Sequence, residues 1–103
     1  MNQTQPRILL VENIHPVAKE LLEQEGYQVD LLSYAPTEDE LIKRIPDYCA
    51  LGLRSKTEIT AKVLEHSKST FTIGAFCIGT NQIDLASARK KGVAVFNAPH
   101  SNT

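Results

Sequence analysis

Short apolar runs recur along the chain and are separated by longer amphipathic stretches. Five of these runs are interpreted as strands, over Arg7–Glu12, Gln28–Ser33, Cys49–Arg54, Phe71–Phe76 and Val93–Asn97. The stretch Ile8–Val11 is apolar without alternation, which is typical of a strand covered on both faces, as in a parallel sheet. The strands start at intervals of roughly two dozen residues or fewer, about the spacing that a short strand–helix unit needs.

Helix signals lie in the first two gaps between these strands. The first helix is predicted to begin at Pro16 and to end before Gly26, because proline suits the first helical position and glycine suits the left-handed residue after the last turn. Thr37 and Glu40 match a capping box at the start of the second helix. Pro46 is expected to stop that helix.

The third and fourth gaps carry similar signals. Thr60 is predicted to cap the third helix through its hydroxyl. Asn81 is predicted to cap the fourth, with Asp84 favourable in its first turn and Gly92 after its end. This role for Asn81 is preferred to a role in binding.

Alternation of strand and helix predicts an α/β fold, in which a parallel sheet has helices on both faces. Right-handed crossovers leave few topologies, and the flavodoxin-like strand order 2-1-3-4-5 is the one expected. Ligands in such sheets bind at the carboxyl ends of the strands, close to the point where the strand order reverses. The loops that follow the strands are therefore where function is sought.

Composition narrows the class of protein. The 103 residues suit a single domain, and a net charge of −1 from mixed charges leaves no basic footprint for nucleic acid or a membrane surface. Residues 1–6 are polar and lack the apolar core of a secretory signal, so a cytoplasmic protein is expected. Cys49 and Cys77 lie in apolar segments and are predicted to be reduced core residues.

Two loops carry groups suited to an anion. Arg54 offers a planar fork for a carboxylate or phosphate, Ser55 a hydroxyl and Lys56 a point charge directly after the third strand. Ser101 and Asn102 add neutral hydrogen-bonding groups after the fifth strand. Together these residues predict a pocket for a small, doubly anionic, oxygen-rich molecule.

Three segments carry a resemblance to a known family: Gly52–Thr57, Ile73–Leu85 and Val95–Thr103. They resemble signature stretches of the D-2-hydroxyacid dehydrogenases and, within that family, of the D-3-phosphoglycerate dehydrogenases. The resemblance as a whole extends, with matching order and spacing, over essentially all of the chain after residue 6. The opening stretch Ile8–Glu12 is similar as well.

The resemblance implies roles for individual residues. Arg54 and Ser55 would contact the phosphate or carboxylate of 3-phosphoglycerate, and Asn102 would contribute to the same site. Lys56 stands where the family commonly has a second basic residue. His100 stands where close relatives are expected to have an aromatic residue, and this departure gives it no catalytic role.

The family binds NAD on a Rossmann domain, and the Gly-x-Gly-x-x-Gly fingerprint of such a domain does not occur in this sequence. The resemblance also places the catalytic His–Glu pair and an arginine further along the family's chain. Residues 1–103 are therefore expected to be a substrate-binding domain fragment of an NAD-dependent, homo-oligomeric enzyme of serine biosynthesis. Alone, the fragment is predicted to bind no cofactor, to be inactive, and to self-associate through an uncovered apolar face.

Two alternatives stay open from the sequence. Arg7–Glu12 also resembles the start of a response-regulator receiver domain, a phosphorylation-controlled module of the same fold type. A receiver needs clustered carboxylates after its first strand and an aspartate after its third, whereas Asn13 and Arg54 follow here, and a cation opposes Mg²⁺ binding. The other alternative is the same lobe of a D-2-hydroxyacid dehydrogenase with a different small acid as its substrate.

Overall fold

A computed structural model of the chain describes residues 6–77 and 79–97. Within this part of the chain, five parallel strands form one sheet in the order β2-β1-β3-β4-β5. The strands are β1 (Arg7–Leu10), β2 (Gln28–Leu31), β3 (Ala50–Leu53), β4 (Thr72–Ala75) and β5 (Ala94–Asn97). The predicted fold class and strand order are confirmed, and each strand is slightly shorter than predicted.

Helices connect successive strands: α1 (Pro16–Gln24), α2 (Glu38–Arg44), α3 (Ala61–Glu65) and α4 (Leu85–Lys90). A short 3₁₀ turn, Ile45–Asp47, follows α2 and contains the proline predicted to stop it. The Thr37 hydroxyl accepts from the N–H of Glu40, and the Thr60 hydroxyl accepts from the N–H of Val63. Both predicted threonine caps are therefore confirmed.

The predicted cap of the fourth helix is wrong. The helix begins at Leu85, and the carboxylate of Asp84 accepts from the N–H of Ser87 at 3.0 Å. Asp84 is held in extended backbone because its own N–H donates to the carbonyl oxygen of Ile59. Ile59 also forms a parallel bridge with Ile83, so the chain near Asn81 is still part of a loop and cannot cap the helix.

Alternate residues along β1, and the residue that follows it, enter two different cores. Leu9 and Val11 belong to the larger core, which lies on the face covered by α2, α3 and α4. Ile8 and Leu10 belong to the smaller core beneath α1. The unbroken apolar run predicted to be buried on both faces is buried in this way.

The face that carries α1 is covered only in part by the described elements. A row of paired residues crosses it from strand to strand: Leu31, Leu10, Gly52, Gly74 and Phe96. Phe96 is 59% exposed and Phe71 is 56% exposed, whereas Leu10 beneath α1 is buried. An apolar groove of about 280 Å³ runs along β3 and β4 on this face. The geometry agrees with the predicted uncovered surface.

A separate cluster of side chains joins Arg7, at the amino end of β1, to Asp30 within β2. A guanidinium nitrogen of Arg7 lies 2.8 Å from the Asp30 carboxylate, which also accepts from the hydroxyl of the buried Tyr48. The hydrogen bond from Tyr48 and the charge of Arg7 hold the pKa of Asp30 below its ordinary value. This cluster lies at the opposite edge of the sheet from the loops expected to carry function.

Both cysteines are free, and both pack against the cores, Cys49 against the smaller and Cys77 against the larger. They are half-buried and not fully buried, because Cys49 precedes β3 and Cys77 lies in the loop after β4. In the described part of the chain, no helix is long and apolar enough to cross a membrane.

Candidate functional site

The loop after β3 brings the predicted anion-binding residues to the carboxyl edge of the sheet. Arg54, Ser55 and Lys56 are exposed, whereas the next residue, Thr57, is buried. Their side chains line an open cavity of about 470 Å³, together with residues that follow β1 and β2: Glu12, Ser33, Tyr34 and Ala35. The sequence analysis expected Arg54, Ser55 and Lys56 to line one pocket, and all three line this cavity.

Glu12 organises this loop, and the sequence analysis gave it no role. Its carboxylate accepts hydrogen bonds from the backbone N–H groups of Arg54 at 2.9 Å, Lys56 at 3.0 Å and Thr57 at 2.9 Å. These partners are more than forty residues away along the chain, at separations of 42, 44 and 45. Such contacts leave no trace in local periodicity.

The backbone at the end of β1 turns the Glu12 side chain towards that loop. Glu12 and Asn13 both have positive φ, at 68° and 58°, a conformation that residues other than glycine adopt rarely. The two N–H groups donate to the carbonyl oxygens of Tyr34 and Leu32, which ties this turn to the loop after β2. The backbone strain at Glu12 and Asn13 is therefore offset by hydrogen bonds to the loops after β2 and β3.

The surroundings of Glu12 favour its charged form. Partial burial by itself raises the pKa of the carboxylate, but the adjacent Thr57 side chain and the hydrogen-bonded backbone N–H groups of Lys56, Arg54 and Thr57 outweigh burial, and the pKa lies below its ordinary value. Near neutral pH the loop therefore surrounds a carboxylate anion.

Replacing Glu12 with glutamine is expected to remove an acid-sensitive part of the stability. Because the pKa is lower in the folded chain than in the unfolded one, the contribution of Glu12 is present above about pH 4.5 and is lost as the pH falls through the folded pKa. Near neutral pH, Glu12→Gln should lower the free energy of unfolding by about 1–3 kcal/mol. Urea denaturation of both proteins from pH 7 to pH 3 measures the difference.

Glu20→Gln on the exposed face of α1 is the matched control, and it should leave the difference near zero throughout. A gap between wild type and Glu12→Gln that does not narrow as the pH falls would show that the lost stability does not come from the charge.

Gln82, from the loop after β4, holds the other side of the same segment. Its amide nitrogen donates to the carbonyl oxygen of Arg54 at 2.7 Å and lies 3.3 Å from the sulfur of Cys77. The Cys77 thiol in turn donates to the carbonyl oxygen of Gly79 at 3.1 Å. The loops after β3 and β4 are thus joined through one glutamine side chain, which the sequence analysis also missed.

A second open cavity of about 420 Å³ lies between those two loops. Ser55 lines it together with Glu58, Cys77, Gly79, Asn81 and Gln82. Asn81 is exposed here, so its place is on a cavity wall and not at a helix start. Asn102 and His100 lie outside the described residues.

The arrangement offers groups that can bind an anion. Arg54 and Lys56 offer a planar guanidinium and an ammonium at one mouth, and Ser55 adds a hydroxyl between the two cavities. Among the residues that the structure describes, no histidine lines either cavity. His15 caps α1 by accepting from the N–H of Val17, and His66 lies at the end of α3.

The described loops do not fit a dinucleotide. The first strand–helix loop, where a Rossmann domain has its glycines, contains Glu12 and Asn13. The loop N–H groups that could hold a phosphate face the Glu12 carboxylate instead. The chemistry that these residues can supply is recognition of a small anion.

A family model for the catalytic domain of D-isomer specific 2-hydroxyacid dehydrogenases matches residues 8–103. The chain belongs to this family. It is 50% identical to D-3-phosphoglycerate dehydrogenase 1 of Saccharomyces cerevisiae over 97 residues, which is 94% of this chain and 21% of the relative. The corresponding enzyme of Escherichia coli K12 is 44% identical over 98 residues, 94% of this chain and 24% of the relative.

Solved structures agree on the fold. A protein of Pyrococcus horikoshii superposes with a TM-score of 0.84 at 26% identity, covering 91% of this chain and 28% of that one. An NAD-bound 3-phosphoglycerate dehydrogenase of Entamoeba histolytica gives 0.78 at 23% identity, covering 91% and 33%. The chain spans about a fifth to a quarter of the curated relatives it matches.

The family match makes the receiver alternative wrong. Among the described residues, no group of three or more acidic, histidine or cysteine side chains could hold a metal ion. Glu12 is the acidic residue after β1, and its carboxylate is occupied by backbone N–H groups.

Proposed function

We propose that this chain is the substrate-binding part of an NAD-dependent dehydrogenase that oxidises 3-phosphoglycerate to 3-phosphohydroxypyruvate in cytoplasmic serine biosynthesis. The main support is the exposed loop Arg54–Lys56 at the carboxyl edge, in a chain about half identical to relatives named D-3-phosphoglycerate dehydrogenase. A substrate with both a carboxylate and a phosphate matches two neighbouring cationic side chains of different geometry.

The role proposed for each residue follows from its chemistry. Arg54 takes one anionic group through two parallel N–H donors, and Lys56 adds a positive charge at the same mouth. Ser55 donates to an oxygen between the two cavities, and Asn102, outside the described residues, completes the site. NAD would accept the hydride when bound by the whole enzyme, but the described residues neither hold it nor remove a proton.

The substrate class is tested by comparing 3-phosphoglycerate with D-glycerate, which differs only by the phosphate, and with D-lactate. Affinities for the 103-residue chain are measured by NMR titration. We expect 3-phosphoglycerate to bind at least roughly tenfold more tightly, because the phosphate adds charge-assisted hydrogen bonds. Equal affinities would favour another small acid as the substrate, and no binding of any of the three would contradict a substrate role for this lobe.

Consumption of NADH by the chain with 3-phosphohydroxypyruvate would overturn its predicted inactivity.

We also infer that the whole enzyme is a homo-oligomer and that the 103-residue chain pairs with a second copy through the sheet face beside α1. The observation in support is the groove along β3 and β4 with the exposed Phe71 and Phe96 beside it. Sedimentation velocity should show an average mass that rises with protein concentration. The rise should be smaller in Phe96→Ser than in the control Leu85→Ser, which changes an exposed residue of α4. A wild type that stays monomeric at millimolar concentration would contradict the pairing.

A further inference from the structure

The backbone of Arg54 is held from two sides by side chains of other loops. Its N–H donates to one oxygen of Glu12 at 2.9 Å, and its carbonyl oxygen accepts from Gln82 at 2.7 Å. Glu12 also holds the N–H groups of Lys56 and Thr57. Glu12 and Gln82, which carry no positive charge, therefore fix the backbone from which the Arg54 and Lys56 side chains extend.

The negative charge of Glu12 lies beside the cavity that is proposed to bind an anion. A carboxylate beside an anion site repels the ligand, so on Coulomb's law alone its removal should tighten binding. The same carboxylate also occupies the backbone N–H groups that could have held an anion themselves. With those three N–H groups occupied, the exposed side chains of Arg54, Ser55 and Lys56 remain at the cavity for an incoming anion, and their placement affects the affinity.

We propose that Glu12 and Gln82 are positioning residues for the substrate, which act by fixing the backbone that carries Arg54 and Lys56. This inference rests on the proposed function, since it assumes that the anion binds in the cavity beside this loop. Neither residue touches the ligand in this account. Glu12 sets the loop from the side of β1, and Gln82 sets it from the side of β4.

Measurement of the dissociation constant of 3-phosphoglycerate for Glu12→Gln and Glu12→Ala tests the role of Glu12. We expect binding to weaken roughly fivefold to tenfold in Glu12→Ala and less in Glu12→Gln, which keeps one oxygen acceptor for the loop. Tighter binding in both variants would show that Glu12 acts only as a repelling charge and would overturn the proposal. The control Glu20→Gln should bind like wild type.

Gln82→Leu removes the amide donor at similar size and tests the second contact independently of charge. It should weaken binding by roughly threefold or more, whereas Gln24→Leu at the exposed end of α1 should not. The fraction of folded chain is followed by the amide spectrum in every sample. A purely structural role would lower the urea midpoint while leaving the dissociation constant of the folded chain unchanged, and that result would also overturn the proposal.

The outcomes separate this inference from the proposed function. If the wild-type chain fails to bind 3-phosphoglycerate, the proposed function is contradicted first. If wild type binds and the folded variants bind as well or better, the positioning role alone is contradicted. Should Glu12→Ala not fold, the comparison of Glu12→Gln and Gln82→Leu with their controls decides the matter.

Discussion

Leu9→Ala is expected to remove most of the stability of the 103-residue chain. Leu9 lies at the centre of β1, between β2 and β3, and its side chain is completely buried in the larger core. Substitutions of this kind cost about 3–5 kcal/mol, because apolar contacts are lost and a cavity remains. Whole domains are stable by only about 5–15 kcal/mol, so for a small domain near the lower end of that range the loss is most of the total, and the urea midpoint should fall clearly.

Leu21→Ala is the matched control for this prediction. Leu21 is on α1 and is 56% exposed, so the same substitution should change the free energy of unfolding by less than about 0.5 kcal/mol. Urea denaturation followed by circular dichroism compares the two variants with wild type. Similar midpoints for Leu9→Ala and Leu21→Ala would contradict the assignment of β1 to the centre of the core.

Arg54→Met is expected to reduce the affinity for 3-phosphoglycerate by roughly a hundredfold, because a charge-assisted contact to the ligand is lost. Arg54→Lys keeps the charge but loses the planar fork, and it should still weaken binding roughly tenfold. The side chain is exposed, so stability should change by less than about 0.5 kcal/mol. NMR titration and urea denaturation of the same samples separate the two effects.

Arg89→Lys at the end of α4 provides the matched control for Arg54→Lys. Arg89 is exposed, is not among the residues that line the cavity, and should be replaceable without effect on binding. An unchanged dissociation constant in Arg54→Lys would show that charge alone is recognised. An unchanged constant in Arg54→Met would exclude this side chain from the site.

Much of the fold could be predicted because its determinants are local. Short apolar runs identified the strands. The hydroxyls of Thr37 and Thr60 cap α2 and α3, as expected from the sequence. Gly26 and Gly92 have φ values of 98° and 75°, which is the left-handed conformation that ended the predicted helices. Each of these features depends on a few neighbouring residues.

The prediction failed where distant segments meet. Asp84 caps the last helix because its N–H bonds to Ile59, a contact that fixes the backbone before the helix begins. The first strand ends at Leu10 and not at Glu12, because Glu12 turns into a positive φ to reach the loop after β3. Neither local propensity nor periodicity contains these contacts.

The candidate site also has one part that could be predicted from the sequence and another part that could not. The side chains that offer charge, Arg54 and Lys56, could be proposed from their types and from their place after a strand. The residues that hold them, Glu12 and Gln82, could not, since a glutamate after a strand and a glutamine in a loop are ordinary surface residues. Their roles appear only when hydrogen bonds across the carboxyl edge are known.

The central claim is that the carboxyl edge of this sheet holds the anionic groups of the substrate. An amide chemical-shift map of the ¹⁵N-labelled chain with 3-phosphoglycerate tests it directly, because the structure has another arginine, Arg7, at the amino end of β1, where it is paired with Asp30. The account predicts saturable shifts at residues 54–57 and little change near Arg7 and Asp30. Shifts concentrated around Arg7, with the loop after β3 unaffected, would contradict it.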